Sequence, residues 1–62
     1  MRSDFEALAY YIGSQYNICD DSAFAVAELC TSEDITTWQQ WVQLDRMEQD
    51  LIVQEILHLQ QP

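Results

Sequence analysis

Eleven carboxylates, one histidine and two cysteines are the side chains of this chain best suited to acid–base, nucleophilic or metal chemistry. Two carboxyl groups facing each other across a cleft can hydrolyse a glycosidic bond, and a cysteine beside a histidine makes a nucleophile. The spacing supports neither. Asp4 and Glu6, Asp20 and Asp21, Glu33 and Asp34, and Asp45 and Glu48 all fall at expected helix starts, where capping and the helix dipole favour negative charge. Glu28, Asp50 and Glu55 alone lack that explanation. His58 falls in the last turn of the last expected helix, where a cation complements the dipole. Cys19 and Cys30 stand in neither C-x2-C spacing nor any other ligand spacing with His58, so they are expected as reduced, half-buried thiols. A single glycine cannot build a phosphate-binding loop. The chain is therefore expected to be a non-enzyme with no catalytic, cofactor or metal site.

Charge narrows the partners further. Two arginines, no lysine and a net charge of -9 on 7.3 kDa make a strong negative field. Nucleic acid and anionic membrane require the opposite sign, so neither is an expected direct partner. A protein with a basic or apolar surface is. Met1-Arg2-Ser3-Asp4 turns acidic at once, and no stretch approaches the roughly 18 apolar residues of a membrane span, so a cytoplasmic location is expected.

The elements that must position these residues are helices. Apolar residues make up 48% of the chain, with seven aromatics against one Gly and one Pro, which is the composition of a folded chain. One helical domain over residues 1–62 is expected: an all-α bundle of three helices, or four if the third breaks. Ser3-Asp4-Phe5-Glu6 reads as a capping box, and Phe5, Leu8, Ala9, Ile12 and Tyr16 fall on one face of the helix that follows. Gly13 weakens its last turn and Asn17 is the expected stop. A second helix, Ser22 to Cys30, presents the small face Ala23, Val26, Ala27 and Cys30. Thr31 to Asp34 reads as the cap of a third, with Ile35, Trp38, Trp41 and Val42 on one face. Asp45 with Glu48 has the spacing of a further cap, and Leu44, Met47 and Leu51 point away from the Ile35–Val42 face. That mismatch favours a break near Leu44 over one continuous helix.

The last helix carries apolar residues on more than one side. Ile52, Ile56 and Leu59 share a face with Val53 at its edge, whereas Met47 and Leu51 share another. One core contact cannot cover both, so a partner or self-association surface is expected from Trp41, Met47, Leu51, Ile52, Ile56 and Leu59, with homodimerisation through this helix. In Trp38-Gln39-Gln40-Trp41 both indoles lie on one side, either as core anchors or with one left as an interface anchor. Asp20, Asp21, Glu28, Glu33 and Asp34 form a candidate acidic patch. Its sharper reading is mimicry of DNA toward a basic nucleic-acid-binding protein, and its plainer one a solvated surface.

In its acidic, lysine-free composition, its Trp38–Trp41 string and its Leu44-Asp45-Arg46-Met47-Glu48-Gln49-Asp50-Leu51 stretch, the chain resembles small accessory proteins from the early regions of lambdoid bacteriophages. The resemblance covers the C-terminal half and transfers no functional residues. It implies a bacterial cytoplasm and a modulator of host or phage machinery that binds a protein.

Overall fold

The computed structural model describes residues 3–60; Met1 and Arg2, on which the expected cytoplasmic location partly rests, lie outside them. Four helices follow in order: α1 (Asp4–Tyr16), α2 (Asp20–Ser32), α3 (Trp38–Val42) and α4 (Arg46–Gln60). The fold is an all-α bundle, and the third helix does break before Leu44.

Helix α1 begins and ends where its sequence dictates. The Ser3 hydroxyl accepts the Glu6 N–H at 3.2 Å. Asn17 takes a left-handed conformation (φ 53°), and the Ile18 N–H donates back to the Gly13 carbonyl at 3.1 Å. Asparagine tolerates that conformation better than most residues, so it closes the helix. Gly13 has a packing role as well. A β-carbon there would lie 3.2 Å from the Ala23 β-carbon, so its absence lets α1 and α2 cross closely.

Helix α2 presents the expected small face, with Ala23, Val26, Ala27 and Cys30 all buried. Its C-terminal end differs from expectation. Thr31 to Asp34 finish α2 instead of starting α3. The Thr31 hydroxyl donates to the Ala27 carbonyl at 3.0 Å and that of Ser32 to the Leu29 carbonyl at 2.7 Å, so both hydroxyls bond backward along α2. Asp34 then turns left-handed (φ 65°), and the Ile35 N–H returns to the Cys30 carbonyl at 2.8 Å. The cap that starts α3 is Thr37 with Gln40. The Thr37 hydroxyl accepts the Gln40 N–H at 3.2 Å, and the Gln40 side-chain oxygen accepts the Thr37 N–H at 3.1 Å.

The core draws on every helix: Leu8, Ala9 and Ile12 from α1, Val26, Ala27 and Cys30 from α2, Trp41 from α3 and Val53 from α4. Trp41 is the largest fully buried side chain. Three hydrogen bonds run in a closed circuit around it. Its indole N–H donates to Gln15 at 2.9 Å, the Gln15 amide donates to Gln49 at 3.1 Å, and the Gln49 amide donates to the Trp41 carbonyl at 2.7 Å. The circuit ties α1, α3 and α4 together and satisfies the polar end of Gln49, which is 5% exposed. At its edge the Tyr16 hydroxyl donates to Asp50 at 2.6 Å, and Arg46 pairs with the same carboxylate at 3.1 Å.

Candidate functional site

The expected partner surface divides once the helices pack. Trp41 leaves it altogether, because it is fully buried and serves as the hub of the core. The indole left at the surface is that of Trp38, 40% exposed, with its ring stacked on Tyr11 at 5.6 Å and 16°. Spacing alone could not decide between the two tryptophans, since residues three apart share a helix side whichever way the helix is rolled. Val53 is the buried centre of the α4 core face, flanked by half-buried Ile52 and Ile56. Met47, Leu51 and Leu59 point outward with 75%, 65% and 73% of their surface exposed. Three large apolar side chains on one helix, left in water this fully, are the main unsatisfied feature of the fold.

Beside them lies a groove of about 380 Å³, within the range of about 300–1,000 Å³ usual for ligand sites. Its apolar wall comes from Leu29 on α2, Ile35 and Leu44 in the connections on either side of α3, and Leu51 and Ile52 on α4. The remaining lining residues are Glu33, Glu48 and Glu55. Local helix electrostatics account for only one of these three acids. Glu48 sits in the first turn of α4, where the dipole favours it. Glu33 caps the C-terminal end of α2, where the dipole is unfavourable to a carboxylate, and Glu55 lies well inside α4.

The acidic patch expected on α2 does not assemble. Asp20 and Asp21 occupy its first turn, whereas Glu33 and Asp34 follow its last residue, roughly 20 Å away along a helix of 13 residues. Glu28 is exposed between them. Extending α2 to Ser32 is what separates the two pairs, and it turns Glu33 toward the groove.

The chemistry-bearing side chains are dispersed or engaged. Among the described residues, no three His, Cys, Asp or Glu side chains gather where they could hold a metal ion. Both cysteines are free. They are unequal, not both half-buried as expected: Cys30 is buried and Cys19 exposed. Burial pushes the Cys30 thiol up to about 11, which keeps it protonated and unreactive. A side-chain hydrogen bond with Ser22 draws the Cys19 thiol below its ordinary value. Asp50 is held below the usual carboxylate range by the Tyr16 hydroxyl and then by Arg46, while burial and the Asp50 contact raise Tyr16. These groups stabilise one another at the α1–α4 seam. Exposed His58 lies in the last turn of α4, as expected.

Among the described residues, no helix is long and apolar enough to cross a membrane. Compared with protein-family models, with curated proteins and with solved structures, the chain matches none.

Proposed function

We propose that this chain is a small acidic accessory or regulatory protein that acts by binding another protein through α4, without catalysis. The observation that carries this reading is the outward stripe of Met47 and Leu51, with Leu59 exposed on another side, on a helix whose core side is already filled. A surface helix normally spends its apolar residues on one face, and apolar residues exposed on a second side mark a contact surface. The net charge of -9 selects a partner with basic as well as apolar surface. The likeness of residues 44–51 to phage early-region accessory proteins accords with a regulatory role in a bacterial cytoplasm.

Self-association through the same stripe is the second reading, favoured by the exposure of Met47 and Leu51 together. It brings two strongly acidic chains into contact, so a dimer should strengthen as salt rises. The double variant Met47→Ser, Leu51→Ser separates binding from folding. Both side chains are mostly exposed, so stability should change by no more than about 0.5 kcal/mol per site. Any dimer seen by sedimentation equilibrium, and any complex with a protein partner, should weaken at least about tenfold. A variant that keeps every association of the parent chain would refute the α4 surface.

A further inference from the structure

We infer that the groove between α2 and α4 receives an amphipathic helix of a partner protein, with apolar side chains on its floor and lysine or arginine against its glutamates. The inference rests on the protein-binding reading above and names the partner's chemistry. The floor is Leu29, Ile35, Leu44 and Ile52, and the acids are Glu33, Glu48 and Glu55. None of these three carboxylates forms an ion pair with a described residue. The arginine among the described residues, Arg46, is committed to Asp50 at 3.1 Å and lies 5.6 Å over the Tyr16 ring. The groove therefore offers uncompensated negative charge beside apolar surface, and its complement is a chain segment with the same division and the opposite sign.

Two alternatives fit less well. A second copy of this chain would bring its own glutamates to the groove with no lysine and few arginines to meet them. An extended peptide gains its affinity from a free strand edge, and the helices and connections that build this groove provide none. A groove between two helices is the geometry in which amphipathic helices dock, reading anchors at i, i+3, i+4 and i+7.

The test uses the full chain, isotopically labelled, and a synthetic helix of leucine and lysine about five turns long (~18 residues). Its leucines form one stripe with lysines on both flanks. A second peptide of identical composition has the stripe scrambled. The striped peptide should bind saturably, with backbone amide shifts centred on Leu29, Ile35, Leu44 and Ile52. Glu33→Lys with Glu55→Lys should weaken it at least about tenfold. Asp20→Lys with Asp21→Lys makes the same charge change at the far end of α2 and should weaken it less than about threefold. Glu33→Gln with Glu55→Gln should show the same order with a smaller effect, and circular dichroism verifies that each variant is folded.

Equal loss in both lysine pairs, or equal binding of the scrambled peptide, would overturn the groove in favour of unspecific charge attraction. Shifts centred on Tyr11 and Trp38 would overturn it while leaving a contact-based function in place. An absence of saturable binding would overturn it too, and Met47→Ser alone, at a position outside the groove lining, would then decide the broader reading independently.

Discussion

Trp41→Ala should leave the chain largely unfolded at room temperature. The indole is the largest side chain in the core and touches no solvent. Truncating a buried tryptophan costs about 3–5 kcal/mol, and a core in a chain of this size rarely supplies more than about 3–5 kcal/mol in total. The loss also opens the hydrogen-bond circuit, because Gln15 loses the donor that orients it toward Gln49. Trp41→Phe isolates the two contributions. It keeps most of the apolar bulk and removes the indole N–H, and Gln15 is exposed enough to bond water, so about 1–2 kcal/mol should be lost. Urea unfolding followed by circular dichroism measures both. A Trp41→Ala protein that melts cooperatively near the parent midpoint would show that α3 is not the hub of the core.

The same substitution made two residues apart on α4 should have opposite consequences. Val53→Asp should destabilise the fold by about 3 kcal/mol or more, because position 53 is fully buried and a carboxylate there would have no cation within the core. The nearest arginine in sequence, Arg46, is already paired with Asp50. Leu51→Asp should change stability by no more than about 0.5 kcal/mol, since Leu51 projects mostly into water. Thermal melts of the two variants side by side decide the matter. Comparable losses at both positions would mean that the outward face of α4 is held by the fold itself, and the surplus apolar surface on which the function rests would not exist.

Much of the architecture was legible in local pattern. Ser3, Asn17 and the small face of α2 each act over a few residues, so their signals survive without knowledge of the tertiary fold. The break before α4 was legible for a similar reason: a continuous helix would have pointed Met47 and Leu51 away from the Trp38–Val42 face. The α2–α3 junction misled because Thr31-x-x-Asp34 has the spacing of a cap. The hydroxyls of Thr31 and Ser32 bond backward to α2 instead, and Thr37 with Gln40 supplies the real start. A helix of five residues has too few positions to show a face, which is why the choice between Trp38 and Trp41 required the structure.

The candidate site was half legible. Met47 and Leu51 stand out from helical periodicity alone, and the structure leaves both exposed; Leu59, which periodicity grouped with Ile52 and Ile56, is exposed as well. The groove was not legible, because its floor draws Leu29, Ile35, Leu44 and Ile52 from separate segments that only packing brings together. Two of its three acids, Glu33 and Glu48, were hidden by a local explanation. Glu33 looked like a helix-start residue, and it loses that role when α2 is found to run through Ser32. The Gln15–Gln49–Trp41 circuit was invisible for a related reason, since a glutamine in an amphipathic helix reads as surface until a buried carbonyl is found opposite it.

The central claim, that α4 is a protein-contact surface, is tested most directly by site-specific photo-cross-linking in the cells that produce the chain. A photoreactive phenylalanine analogue is placed at Met47, at Leu51 and, as the control, at Glu28 on the exposed side of α2. Discrete cross-linked species from positions 47 and 51, absent from position 28, are the predicted result. Identical patterns from all three positions, or no cross-linked species from 47 and 51, would contradict it.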